Sequence, residues 1–253
     1  MIILCSDYVG FEILKYLLDS DEKITYLILD SSNKNNYNEK IIDCYKQFST
    51  NGKFYFEKIL DNDDFLLEIS NQNFEFGILA WWPYILKGKI LEITKQGWIN
   101  FHPSLLPYNK GKNPNFWCLV DETKCGVSLQ FIDNGIDTGD IIAQKEIPQT
   151  WEDTGKTIYE KSRIAIIELF KEFYPRIKKG EITRIKQNSK TGTYHKSSEL
   201  DQISEIKLDD EYKAKKLLNI LRARIFPPYP TAFFYDDGKK YSIEIQIREI
   251  ENE

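Results

Sequence analysis

An α/β protein with a mostly parallel sheet, followed by a small C-terminal helix and β-hairpin region, is what this 253-residue sequence predicts. Short apolar runs alternate with amphipathic stretches as far as Phe101; two strand-like runs joined by a glycine-containing loop follow Cys125; beyond residue 183 the chain turns polar. Strands that alternate with helices make a parallel sheet covered on both faces. Residues 1–183 are expected to form the main domain and 184–253 a small C-terminal domain or appendage.

Ile2 to Cys5 reads as a buried strand, and Gly10 with Phe11, Leu14, Leu17 and Leu18 as a turn and helix. Ile24 to Leu29 is a second strand. A polar loop precedes a helical patch near residues 39–49, then a short strand around Phe54–Phe56. Phe76 to Trp81 and Gly97 to Phe101 complete a Rossmann-like order. Gly10 stands alone, without GxGxxG, so a dinucleotide site is not expected. GVSLQFI and IIAQKEI form a hairpin around the loop Asp133–Asp140. A long helix runs from a cap at Asp153 or Thr154 through Ile158–Ile177 and stops at Gly180. The polar stretch after residue 183 reads as irregular until a helix near 209–223, and Asp236-Asp237-Gly238 between apolar runs marks a final hairpin.

The formal charge is −5, which disfavours non-specific binding to nucleic acid, since that affinity comes from cations neutralising phosphates. No apolar run approaches the ~20 residues that span a bilayer, and the N-terminus lacks a signal-peptide pattern. The expectation is a cytoplasmic protein without membrane or nucleic-acid partners. Cys5, Cys44, Cys118 and Cys125 are scattered, with no CxxC pair and no nearby histidine. They read as reduced thiols, with neither a metal site nor a disulfide framework.

The chemistry concentrates in WINFHPSLLPYNKGKNPNFW. Asn100 and His102 share one face where a parallel strand ends, and open α/β sheets bind ligands at such carboxyl ends. Asn100-Phe-His102-Pro-Ser-Leu-Leu-Pro, followed by Gly135-Ile-Asp137-Thr-Gly139-Asp140, resembles the 10-formyltetrahydrofolate-dependent formyltransferase family. The loop LLPYNKGKNPNFW most resembles those of the nucleotide-sugar N-formyltransferases and of the related formylating domains of peptide synthetases. The resemblance covers residues 76–180 well and the first 75 by element order. It implies a Rossmann-like catalytic domain, a 10-formyltetrahydrofolate donor and no metal.

An attacking amine generates an oxyanion at the formyl carbon, which the Asn100 amide is suited to hold. The amine sheds a proton and the folate nitrogen gains one, a task for His102, with Asp137 orienting the imidazole and favouring its charged form. By the resemblance, Trp82, Tyr84, Ile85 and Leu86, with Ile132, Asp133 and Gly135, meet the pterin largely through backbone groups. Asp133 and Asp140 are better suited to capping their loop than to acting on substrate. Ser104, Asn109, Lys110 and Lys112 are the acceptor-binding candidates; the two lysines are either a phosphate seat or solvated charges. Phe116 and Trp117 read as core or as a pocket wall, and His195 as a structural histidine.

Among acceptors, a tRNA calls for a basic C-terminal segment, whereas residues 186–253 carry 12 basic and 12 acidic residues. LRARIFPPYPTAFF nevertheless resembles the opening of the methionyl-tRNA formyltransferase C-terminal domain, and that enzyme is the alternative. The purine transformylases lack the PYNKGKNPNFW pattern. A formyltetrahydrofolate hydrolase would resemble this domain preceded by a regulatory module, which is not expected here. The favoured acceptor is a dTDP- or UDP-linked amino-dideoxy sugar, destined for surface polysaccharide or glycoconjugate, with Tyr229 or Phe233 offering an aromatic surface to the base. By the same resemblance, the hairpin near Phe233 forms a homodimer.

Overall fold

A computed structural model describes residues 1–32, 37–49, 52–188 and 190–250. In chain order they form β1 (Ile2–Cys5), α1 (Asp7–Asp19), β2 (Tyr26–Leu29), α2 (Tyr37–Phe48), β3 (Lys53–Phe56), α3 (Asp63–Ser70), β4 (Gly77–Ala80) and β5 (Trp98–His102). After these come β6 (Lys110–Gly111), α4 (Pro114–Val120), β7 (Gly126–Phe131), β8 (Ile141–Glu146), α5 (Gly155–Lys178) and β9 (Tyr194–His195). The chain closes with α6 (Ser197–Ser204), α7 (Ala214–Ala223), β10 (Ala232–Asp236) and β11 (Lys239–Ile243).

Seven strands form one sheet in the order β3-β2-β1-β4-β5-β7-β8. The pairings β2–β3, β1–β2, β1–β4 and β4–β5 are parallel, and every residue of β1, β2 and β4 is buried. That burial is why these strands appear in the sequence as unbroken apolar runs instead of alternating ones.

The chain divides into two compact units. One comprises Met1–His102, Leu129–Ala143 and Ile166–Lys186; the other comprises Pro103–Ser128, Gln144–Ala165 and the chain from Gln187 onward. The first has its core among Ile2, Leu4, Ile28, Phe65, Trp82, Leu86 and Trp98. Tyr26 joins that core and still donates its hydroxyl to Glu68 at 2.8 Å. In the second unit Asp153 holds the start of α5. Its carboxylate accepts the Thr150 N–H at 2.8 Å and the Thr157 hydroxyl at 2.8 Å, and it pairs with Lys161 at 2.7 Å.

The structure corrects the sequence reading at three places. The stretch beyond residue 183 read as irregular contains α6, and the helix expected at 209–223 is the shorter α7. Glu199 stabilises the first turn of α6 by accepting the Lys196 N–H at 3.2 Å. Cys118 and Cys125 are joined in a disulfide, while Cys5 and Cys44 are free. The end of α4 and the approach to β7 bring those Cα atoms to 5.3 Å, within disulfide reach.

Candidate active site

Strand β5 alternates its residues between two environments. Phe101 packs against Phe170 with ring centres 5.0 Å apart, so Asn100 and His102 face the other way, as the pleat requires. Leu79 of β4 is the register partner of Asn100. His102 is 5% exposed, an unusual burial for an ionisable ring without a partner.

Its partner is Asp137. The loop between β7 and β8 is closed at its base by the Phe131 N–H donating to the Asp140 carbonyl and the Ile132 N–H to the Trp98 carbonyl, both at 2.9 Å. Asp133 caps the loop from within, accepting the Gly135 N–H at 2.9 Å and the Thr138 hydroxyl at 2.6 Å. Gly139 is required by close approach, since a Cβ there would sit 1.8 Å from the Phe131 carbonyl oxygen. The result holds Asp137 in a left-handed conformation at φ 53°, which Asp tolerates better than most residues. Its Oδ1 lies 3.4 Å from His102 Nδ1 and accepts the Gln130 side-chain amide at 3.0 Å.

Gln130 is the residue that sequence reasoning missed. It is 1% exposed on a strand that is otherwise mostly apolar, and a buried polar side chain is the more informative observation in such a run. The arrangement Gln130–Asp137–His102 is an imidazole oriented by a carboxylate that is itself oriented by an amide. Such an imidazole can accept and return a proton at a defined place.

The loop after β4 also belongs to the first unit. Trp81 takes a left-handed φ of 60°, a conformation disfavoured for a bulky L-residue. Trp82 and Leu86 bury their side chains in the core, whereas Tyr84 and Ile85 are exposed. Ile132 packs against that same core, and Asp133 and Gly135 are exposed. Of the seven residues predicted to meet the pterin, Trp82 and Leu86 therefore anchor their loop, and Asp133 braces the other one.

In the second unit, the segment after His102 is tightly built. Ser104 donates to the Tyr108 carbonyl at 2.8 Å, and Ser128 donates to the Ser104 carbonyl at 2.6 Å. Asn109 is 1% exposed; its amide donates to Thr123 at 2.8 Å and accepts from Thr193 at 3.1 Å. Ser104 and Asn109 thus shape the loop. Lys110 is half-buried in β6, paired with β9, and Lys112 is exposed. His195 stacks on Trp117 at 3.7 Å with its ring nitrogens 2.9 Å from Asp121 and 3.1 Å from Glu199, and Phe116 and Trp117 are buried. Among the described residues, no group of three or more His, Cys, Asp or Glu could hold a metal ion, and no helix is long and apolar enough to cross a membrane.

Residues 24–172 match the formyl transferase family model, and residues 199–249 match the N-formyltransferase dimerization C-terminal domain. The chain belongs to the formyl transferase family. Within this family it is 36% identical over 200 residues to a methionyl-tRNA formyltransferase from Thermodesulfovibrio yellowstonii, covering 76% of this chain and 61% of that one. The chain thus spans about three fifths of the length of the curated relatives it matches. Its fold matches a 4-N formyltransferase from Francisella tularensis with TM-score 0.80 at 22% identity, covering 98% of each chain. The formyltransferase PseJ from Anoxybacillus kamchatkensis, solved with UDP-4,6-dideoxy-4-formamido-L-AltNAc and tetrahydrofolate, matches with TM-score 0.55 at 28% identity, covering 80% of this chain and 89% of that one.

Proposed function

We propose that the protein is an N-formyltransferase that moves the formyl group of 10-formyltetrahydrofolate to the amino group of a nucleotide-linked amino-dideoxy sugar. The likeness to PseJ, solved with UDP-4,6-dideoxy-4-formamido-L-AltNAc and 28% identical with 80% of this chain covered, carries this reading, and the match of residues 199–249 to the N-formyltransferase dimerization domain agrees with it. The neutral charge of the segment agrees, with 12 basic and 12 acidic residues from 186 to 253, as RNA binding favours an excess of cations.

Asn100 holds the oxyanion that forms when the amine attacks the formyl carbon. His102 takes the proton that the amine sheds and delivers one to the folate nitrogen as the carbon–nitrogen bond to the donor breaks. Asp137, fixed by Gln130, keeps the imidazole in register and stabilises its positive charge. The exposed side chains of Tyr84, Ile85 and Ile136 offer the donor an apolar surface. Lys110 and Lys112 are assigned to the diphosphate, and the C-terminal segment to a homodimer; the cytoplasm and a surface-polysaccharide pathway are the setting that such a substrate implies.

The test is a panel of dTDP- and UDP-linked 3- and 4-amino-dideoxy sugars together with methionyl-tRNA, each incubated with donor and read by mass for the added formyl group. One nucleotide sugar should be formylated, His102→Asn should abolish the reaction, and Lys110→Ala with Lys112→Ala should raise the KM for that sugar about tenfold or more. Formylation of tRNA alone, the activity named for the curated relatives, would overturn the sugar assignment and keep the catalytic set.

A further inference from the structure

One buried carboxylate at the carboxyl edge of the sheet has no part in the chemistry above. Asp30, directly after β2, is 7% exposed. Its Oδ2 accepts the hydroxyls of Ser6 at 3.2 Å and Ser32 at 2.7 Å. Its Oδ1 accepts the Ser32 N–H at 2.9 Å and the Tyr84 hydroxyl at 2.7 Å. Ser6 directly follows β1 and donates its N–H to the carbonyl of Ala80, the last residue of β4. Asp30 therefore gathers the ends of β1 and β2 and the loop after β4 on one group, all within the first unit.

Burial pushes the Asp30 carboxyl up, but the hydrogen bonds from Ser32, Tyr84 and Ser6 outweigh it and hold the group below the usual carboxylate range. The bond from Tyr84 is thus charge-assisted, of the stronger kind. Within the loop, Trp82 and Leu86 are fixed in the core on either side of exposed Pro83, Tyr84 and Ile85. The Tyr84 ring meets Trp82 edge-on at 5.5 Å, and its hydroxyl is a third attachment at the loop's crest. A loop held at three points does not have to be ordered when a ligand arrives, and ligand affinity scales with the fraction of protein already in the receptive form.

We propose that Asp30 is a positioning residue for the formyl donor, pinning the loop Trp81–Leu86 through Tyr84 in the form that receives the folate ring. This rests on the folate reading of that loop. The test measures the Kd of folinic acid by calorimetry for the full chain and for Tyr84→Phe, Asp30→Asn, the double variant and Ile85→Glu, with hydrogen exchange across residues 81–86. Tyr84→Phe should weaken binding about tenfold and raise exchange in the loop, Asp30→Asn should do the same, and the double variant should be no worse than the weaker-binding single. Should Asp30→Asn fail to fold, Tyr84→Phe carries the test alone, since it removes only the hydroxyl bonded to Asp30 and keeps the ring on Trp82.

Fully additive losses would mean that the Tyr84 hydroxyl meets folate directly, and would overturn the proposal. So would an unchanged Kd in Tyr84→Phe when Ile85→Glu loses binding, a result that leaves the folate loop standing without its latch. If Ile85→Glu also binds normally, the folate reading of the loop fails and the proposal fails with it.

Discussion

Replacing Asp137 by Asn removes one charge from the candidate site and changes little else. Residue 137 is held at φ 53°, which Asn adopts with less strain than nearly any other non-glycine residue. The Asn side-chain oxygen can still accept the Gln130 amide that now reaches Asp137 Oδ1 at 3.0 Å. What is lost is the attraction between a carboxylate and the positive imidazole of the transition state. At 3.4 Å and an effective dielectric of about 20, that attraction is ~5 kcal/mol. Contact with solvent lowers the usable part to roughly 3–4 kcal/mol, or about 10²–10³ in kcat. Steady-state formylation of the acceptor found in the panel measures it, with the melting temperature and the folinic acid Kd as controls that should stay unchanged. A fall in kcat of less than about tenfold in a folded, donor-binding variant would refute the role given to the Asp137–His102 pair.

Two stability predictions accompany it. Asp153→Ala should cost ~3 kcal/mol by urea denaturation at pH 7, since it removes the buried charge-assisted bonds to Thr150, Thr157 and Lys161 at the start of α5. Burial raises the Asp153 carboxyl, but the bonds from Lys161, Thr150 and Thr157 prevail and its folded pKa lies below the usual value. The difference from the parent should therefore be complete above the unfolded pKa of ~3.9 and should vanish as the pH falls through the folded value; a gap that persists at lower pH would contradict this. Gly77→Ala would place a Cβ 2.3 Å from the buried Trp98 ring and should cost about 2 kcal/mol, lowering Tm by ~6 °C, and an unchanged Tm would show that Trp98 can shift.

The fold was legible in the sequence where burial is uniform. Ile2–Cys5 and Tyr26–Leu29 are apolar throughout because both faces of their strands are covered, and a run of that kind needs no partner to be recognised. Strand parity placed Asn100 and His102 on one face, and the family resemblance of its glycine-flanked motif singled out Asp137, which the structure brings to 3.4 Å from His102. Gln130 was not legible, because nothing local distinguishes a second-layer amide from an exposed polar residue in a strand. Helix α6 escaped because Leu200 and Ile203 are its only large apolar residues, too few for a periodic signal, and its first turn depends on Glu199 reaching back to Lys196. The Cys118–Cys125 bond depends on where the chain turns after α4, and a spacing of seven residues does not reveal that turn. The two units were hidden for a related reason: at three of its five passages between them the chain crosses inside β7, β8 and α5, where regular structure erases any change in composition.

The strand order has a consequence for how the protein is made. Strand β1 leaves the ribosome before the other strands of its sheet, yet it lies between β2 and β4 in the finished sheet. It starts at Ile2, while β4 starts only at Gly77; at ~5–20 residues synthesised per second, β1 waits roughly 4–15 s for its second neighbour. Throughout that interval β1, short and wholly apolar, carries an unpaired edge, the kind of surface that pairs with other chains. The segment most exposed to error during synthesis is thus one that later lies inside the sheet, and β5, which carries Asn100 and His102, is added only after that wait is over.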